Sequence, residues 1–521
     1  MLLQPIKYTL PDDLGLDGVE SALAQSHRFL KAPKSDDSLV FLDSFDWRVW
    51  QAGAELTYAK SSVGGRLCWI EHRSGQQVAC EAQQHAPGFS DSLPVGEMRE
   101  QLSPILEMRT LLPLVRVDRH LRTLRLLDRE EKTVVRIVLE ENRYSSQDGK
   151  QQGSLEPTLT LLPLKGYPKP FLRLQADLES LGLEVATQTP FIGALDGIGR
   201  RPGDYSSKLN YRLDPEQRAD AAGRKILLGL LDTMEANISG TRTNLDSEFL
   251  HDLRVAVRRS RSLLGQVKNI FAETDIERFK QGLGWIGKIT GPTRDLDVYL
   301  LKFADLQASL PTVVQADLEP FRDFLVNHHQ GAQRALVRKI NSPHFRKLMK
   351  DWRSWLESPL PEAPVEVNAR KPAAKVADLR IRKIYHRVLR EGLAITPDSP
   401  AEALHDLRKS CKKLRYLMEF FQSLYPKRDI RKVIKAMKIL LDNLGDFQDL
   451  QVQAESLEDF GEQMLKEGSG ARPVIAMGIL VGDLLAKQQQ ARAEFSALFT
   501  DFAARDNRDT FVQLFGGKGT V

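Results

Sequence analysis

The period of the hydrophobic positions changes near residue 200. Before it, short apolar or alternating runs lie between turn signals: residues 38–42 (SLVFL), 55–58 (ELTY), 67–70 (LCWI), 133–139 (TVVRIVL) and 159–162 (LTLL), with turns at Ala52-Gly53, Gly64-Gly65 and Asp148-Gly149. Such runs predict antiparallel strands. Residues 171–183 (FLRLQADLESLGL) repeat instead at helical spacing and stop at Gly182. The Gly/Pro-rich stretch from Gly193 to Gly203 reads as a linker.

Beyond the linker the pattern is that of long helices, divided by a second Pro-rich stretch over 358–372. The two parts repeat each other. His251-Asp-Leu-Arg254 recurs as His405-Asp-Leu-Arg408, and Gly291 to Asp295 recurs as Gly445 to Asp449, both at an offset of 154 residues. Two motifs kept in register over 48 residues (251–298 against 405–452) indicate a duplicated helical unit. On a helix over 251–271, Leu253, Val257, Ser260, Leu264, Val267 and Phe271 form one stripe, matched in the second copy by Leu407, Cys411, Leu414, Met418, Phe421 and Tyr425. This stripe is the expected buried seam.

Beside the seam runs a polar row. It comprises His251, Arg254, Arg258, Arg261 and Lys268 in the first copy, and His405, Arg408, Lys412 and Arg415, flanked by Lys409 and Lys413, in the second. A further basic row, Arg380, Lys383, Arg387 and Arg390, lies on the preceding helix, and Lys432, Lys435 and Lys438 lie on the following one. Like charges one helical turn apart repel by a few tenths of a kcal/mol each. Either acidic neighbours in the same bundle or an external anion must relieve that repulsion.

Charge counts favour the anion. The net charge of +5 conceals an asymmetry: residues 1–205 hold 24 Lys/Arg against 28 Asp/Glu, residues 206–521 hold 50 against 41, and residues 371–440 hold 18 against 7. A block of this kind fits a polyanionic partner. Single-stranded nucleic acid is disfavoured, because stacking aromatics do not interleave with the basic row, Tyr416 excepted. A phosphate chain needs only charge and forked donors. His251 and His405 could donate to phosphate near neutral pH. Cys68, Cys80 and Cys411 make neither a paired framework nor a metal-ligand spacing, and His328-His329 face different ways on a helix. No signal peptide or apolar run long enough to span a bilayer is evident, so a cytoplasmic protein without membrane association is expected.

The twice-repeated His-x-x-Arg-x-x-x-Arg/Lys-x-x-Arg pattern, each copy followed by a Gly-x-x-x-Asp segment, resembles the CHAD family. That resemblance implies an all-α domain over residues 206–505, with copies at about 215–357 and 373–505, arranged with pseudo-twofold symmetry around a basic groove. It also implies binding of inorganic polyphosphate and association with polyphosphate granules. By position, His251, Arg254, Arg258, Arg261, His405, Arg408, Lys412, Arg415 and Lys438 are the implied binding residues; the basic rows add Arg380, Lys383, Arg387 and Lys413. The repeat partner of Lys438 is Gly284.

CHAD domains often follow a CYTH domain, an antiparallel β tunnel that processes triphosphates with metal. Residues 1–200 resemble a diverged member: residues 41–56 (FLDSFDWRVWQAGAEL) match its strand–turn–strand pattern, and Arg116, Arg119 and Arg122 could match its phosphate-gripping basics. The expected fold is therefore multidomain, an α+β tunnel-like or barrel-like domain followed by duplicated helical bundles. The CYTH family opens with Glu-x-Glu-x-Lys for metal, whereas residues 5–10 (PIKYTL) hold no acid. Without hard oxygen ligands no metal-assisted hydrolysis is expected. The expectation is a non-enzymatic polyphosphate binder without metal or cofactor, whose N-terminal domain could recruit a protein partner. The alternatives are a metal-dependent triphosphatase of the CYTH type and a nucleic-acid binder.

Overall fold

The computed structural model describes residues 3–516 except 12, 62, 63, 74, 76 and 83–85. The chain forms two compact units, Met1–Tyr205 and Ser206–Val521.

The first unit is an antiparallel sheet of β1 (Ile6–Thr9), β2 (Phe29–Lys31), β3 (Ser35–Asp43), β4 (Ala54–Ser61), β5 (Gly64–Glu71), β6 (Gln77–Ala82), β7 (Leu112–Leu127), β8 (Thr133–Ser146), β9 (Gln152–Ser154), β10 (Thr158–Pro163) and β11 (Glu184–Val185). The strand order is β11-β1-β10-β8-β7-β3-β4-β5-β6, with β2 on β7 and β9 on β8. Five helices accompany it: α1 (Leu16–Ser26), α2 (Arg48–Gln51), α3 (Glu97–Leu106), α4 (Pro168–Ser180) and α5 (Pro190–Gly197). Side chains alternate between faces along each strand. Tyr8, Ile137, Leu139, Leu159 and Leu161 accordingly share a core with Val19 and Leu23 of α1 and with Phe171 and Leu174 of α4. The other face is polar there, and Lys7 holds Glu140 at 2.7 Å.

The expected linker is partly structure. Residues 190–197 are helical because Thr189 accepts from the Ile192 amide at 3.3 Å and Pro190 opens the first turn. Phe191, Ala194 and Leu195, at helical spacing, pack on Val115 and Val117 of β7. Gly197 is there for close approach: a Cβ would fall 2.3 Å from the Tyr144 ring. The grouping of Arg116, Arg119 and Arg122 also fails, since β7 places Arg119 on the face opposite the other two. Arg119 donates to Asp37 at 2.6 Å, and Arg122 to Asp17 at 2.5 Å.

The second unit is all helical: α6 (Ala219–Thr243), α7 (Ser247–Gln266), α8 (Glu273–Ile289), α9 (Gly291–Ser309), α10 (Glu319–Ile340), α11 (Pro343–Glu357), α12 (Ala373–Leu393), α13 (Ala401–Phe421), α14 (Lys427–Lys466), α15 (Ala471–Phe502) and α16 (Arg505–Phe515). The copies differ at one joint. Where α8 ends and α9 begins, the second copy runs through as the single 40-residue helix α14. Pro292 accounts for the break, lacking an amide and clashing with the preceding turn, whereas its counterpart is Asp446.

The seam is buried in both copies: Leu253, Val257, Ser260 and Leu264 on α7, and Leu407, Cys411, Leu414, Met418 and Phe421 on α13. The Cys411 thiol is fully buried, and burial pushes its pKa up. The helix over 251–271 is shorter than expected. It ends at Gln266, Asn269 takes a φ of 59°, and Lys268 therefore leaves the row it was expected to continue. A second, separate core joins Tyr299 and Phe303 of α9, Phe321 and Leu325 of α10, Leu457 and Met464 of α14 and Met477 and Leu480 of α15.

Candidate functional site

The counterpart helices α7 and α13 pack against each other. Between them and α14 lies a cavity of about 500 Å³. Its cationic lining is Lys208, Arg258, Arg259, Arg408, Lys412 and Arg415, and His251 also borders it. The apolar seam orients these groups. Residues that bury Leu253, Leu407 and Leu414 on one side of their helices must turn the adjoining positions toward this space.

One side-chain arrangement occurs in both copies. In the second, Arg408 crosses to α14 and donates from Nη2 to Asp449 Oδ1 at 2.8 Å. The Arg408 guanidinium passes Gly445, where a Cβ would lie in ordinary contact at 3.9 Å from Nη2. In the first, a Cβ on Gly291 would sit 3.7 Å from Arg254 Nη1, and Arg254 faces Asp295. Arg254 also donates to the Gly287 carbonyl at 3.0 Å and to Thr290 Oγ1 at 2.9 Å, tying α7 to the end of α8. Burial pulls its pKa down, with Arg258 and Arg294 adding to the effect.

Lys412 stands apart. It is half-buried and makes no ion pair among the described residues. Burial, with Arg408, Arg258 and Arg415 around it and only Asp449 opposing, pulls its ammonium down to about 8. Its repeat partner Arg258 donates from Nε to the Tyr416 hydroxyl at 2.7 Å, bridging the copies. Arg415 donates to Glu419 at 2.7 Å, and Arg259 reaches the other oxygen of Glu419 at 3.3 Å.

Acids also enter the cavity. Asp442, Asp446 and Asp449 line it from one face of α14, and Asp252 from α7. Burial, reinforced by Asp442 and Asp449, pushes the Asp446 carboxyl up. Some cations of the basic rows are therefore paired internally, as Arg408 with Asp449 and Arg415 with Glu419, whereas Lys412 makes no ion pair among the described residues. Among the described residues, no group of three or more His, Cys, Asp or Glu side chains is arranged to hold a metal ion.

The remaining expected site residues lie outside this cavity's lining. Arg261 is exposed on α7, with its guanidinium over Gly284 and Gly287. His405 pairs through Nδ1 with Gln448 Oε1 at 2.6 Å. Arg380, Lys383 and Arg387 are on α12; burial and Arg387 pull Arg380 down. Lys413 is half-buried on α13, and Lys438 is exposed on α14. Conversely, Lys208 and Arg259 were not singled out by the sequence. Arg259 stands beside the row rather than in it, and Lys208 precedes the first helix, where no periodicity speaks. The acids of α14 carried a usable signal, a spacing of four and three residues on one helix.

These features belong to a helical domain with a charged cavity between duplicated helices. Residues 225–458, all within the helical unit, match the family model of the CHAD domain. A curated uncharacterized protein of Mycobacterium tuberculosis is 25% identical over 275 residues, 50% of this chain and 50% of its own length. The chain thus spans about half the length of the curated relatives it matches. Among solved structures, the CHAD domain from the plant Ricinus communis is similar at 24% identity, covering 57% of this chain and 95% of its own, with a TM-score of 0.47. A putative adenylyl cyclase from Hippeastrum, described as having a dominant triphosphatase activity, is similar at 13% identity, 39% of this chain and 99% of its own, with a TM-score of 0.27. No helix among the described residues is long and apolar enough to cross a membrane.

Proposed function

We propose that the helical unit binds inorganic polyphosphate in the cavity between α7 and α13 and performs no chemistry on it. The observation that carries this reading is Lys412: a half-buried ammonium among Arg258, Arg408 and Arg415 with no ion-pair partner among the described residues. Asp449 and Glu419 offset the charge of Arg408 and Arg415, and the unpaired, partly desolvated Lys412 ammonium beside them is stabilised further when an anion enters. The CHAD family supports a phosphate chain as that anion. Each Arg presents a fork of donors to successive phosphates, and counterion release from the chain adds affinity that falls with salt. Among the described residues, Tyr416 is the single Phe, Tyr or Trp lining the cavity, and one such ring is no platform for stacking successive bases. Attachment to polyphosphate granules follows from the same reading.

The sheet unit is given no catalytic role in this reading. Carboxylates on its polar face are held by internal cations, Glu140 by Lys7 and Asp37 by Arg119. Metal-dependent release of phosphate from tripolyphosphate by the full chain would overturn that assignment. The binding assignment is tested by the triple substitution Arg408→Ala, Lys412→Ala, Arg415→Ala. It should weaken polyphosphate binding by at least about a hundredfold, roughly one decade or less per lost cation, with helicity retained. Unchanged affinity in a folded variant would refute the site.

A further inference from the structure

A segment that precedes the first helix of the helical unit separates two cavities. Ser207 and Lys208 line the first, described above, and Ser206 and Lys208 line a second, of about 630 Å³, against α6. This strap is pinned to both copies. Arg259 of α7 donates to the Ser207 carbonyl at 3.1 Å, and Lys225 of α6 to the Arg212 carbonyl at 2.6 Å. In the second copy, the Phe420 carbonyl accepts from the Tyr211 hydroxyl at 3.1 Å, and Ser423 Oγ accepts from the Leu213 amide at 3.1 Å. The strap is thereby fixed in place, while the Lys208 side chain stays exposed and has no ion pair among the described residues.

The second cavity is also cationic. Lys208, Arg224 and Lys225 border it against a single carboxylate, Asp232, which Arg353 already holds at 2.7 Å. Arg224 is fixed by the Ser358 carbonyl and lies over the Trp355 ring, 5.3 Å from its centroid. Burial pulls its pKa down. Leu209 and Leu228 complete the wall, and an apolar wall strengthens the attraction between these cations and an anion.

We propose that this second cavity is an additional subsite for the same polyanion, entered from the first past Lys208, so that a long phosphate chain occupies both. The proposal rests on the polyphosphate reading above. Lys208 is what joins the cavities, and only a ligand with charge at every step along its length can use a cation shared by both. A compact anion fills the first cavity alone. By sequence Arg224-Lys225 corresponds to Arg382-Lys383, and both arginines donate to a backbone carbonyl near a later helix end, Arg224 to that of Ser358 and Arg382, at 3.2 Å, to that of Gly516.

The test compares long-chain polyphosphate with tripolyphosphate on the full chain, as wild type, as Lys225→Ala and as Lys225→Arg, since Lys225 borders the second cavity and not the first. The alanine variant should weaken long-chain binding about fivefold and flatten its salt dependence by about one slope unit, for the one lost phosphate contact. Tripolyphosphate affinity should stay within about twofold, and the arginine variant should restore the long-chain value. Equal weakening of both probes, or no weakening of either in a variant with unchanged thermal unfolding, would overturn the subsite. A wild-type protein that binds neither probe would instead overturn the parent reading, and the subsite with it.

Discussion

Arg258 of the first helical copy and Tyr416 of the second are joined by a 2.7 Å hydrogen bond from Nε to the hydroxyl, across the line where the copies meet. The bond fixes a guanidinium over the cavity with its remaining donors free to turn toward a ligand. Tyr416→Phe removes the acceptor and keeps the ring. Affinity for polyphosphate should fall about fivefold, equivalent to about 1 kcal/mol for one hydrogen bond. An unaltered dissociation constant would mean that Arg258 needs no such support.

On the proposed reading Glu419 competes with the bound polyanion. It holds Arg415 at 2.7 Å and Arg259 at 3.3 Å, serving as an internal counter-anion for both copies. With Glu419→Gln the two guanidinium groups lose their carboxylate, so polyphosphate should bind at least about threefold tighter, with a steeper salt dependence by about one slope unit. Titrations that show weaker binding in this variant would assign Glu419 to positioning rather than to competition.

Lys412 makes binding sensitive to pH. Burial and the neighbouring arginines pull its ammonium down to about 8, so it loses its proton in the free protein above that pH. A bound polyanion favours the charged form, and complex formation takes up a proton in this range. Affinity should therefore fall as pH rises through about 8. Lys412→Arg keeps the charge and should flatten the profile between pH 7 and 9. A wild-type profile already flat over that interval would contradict the linkage.

Gly197 supports the sheet unit only. A methyl group at this position meets the Tyr144 ring at 2.3 Å. Gly197→Ala should destabilise the sheet unit by about 1–3 kcal/mol through overpacking, lowering its thermal unfolding midpoint while polyphosphate affinity is unchanged. Wild-type thermal stability in the variant would show that the ring moves aside without cost.

Much of the fold is readable from residue spacing. The repeat follows from two motifs at one offset, and the seam from Leu253 to Leu264 and Leu407 to Phe421 is buried as its periodicity requires. Strands β3, β4, β5, β8 and β10 are likewise marked by short apolar or alternating runs, whereas the longest strand, β7, falls on none of the runs singled out above. The exceptions have local causes. Gly193 and Gly197 suggest a flexible link, yet Gly197 serves close packing and the segment is helical. Lys268 fits a helical row on paper, but the chain has left the helix by then.

The candidate site is less legible, because spacing gives the face of a helix and not the neighbour that it meets. Arg380, Lys383 and Arg387 read as a third wall of one groove, and they lie outside the lining of the cavity between α7 and α13. Arg408 and Arg415 read as unpaired charges, whereas Asp449 and Glu419 reach them from one helix over and one turn along. Lys208 carries no pattern, since its position depends on bonds made by Ser207 and Tyr211 to distant helices.

The central claim is tested most directly by titrating the full chain with long-chain polyphosphate at several salt concentrations, with single-stranded DNA as competitor. The account predicts tight binding that weakens linearly in log–log form with salt and that DNA displaces poorly. Weak binding, or equal affinity for DNA, would reduce the cavity to a general anion surface and contradict a dedicated polyphosphate site.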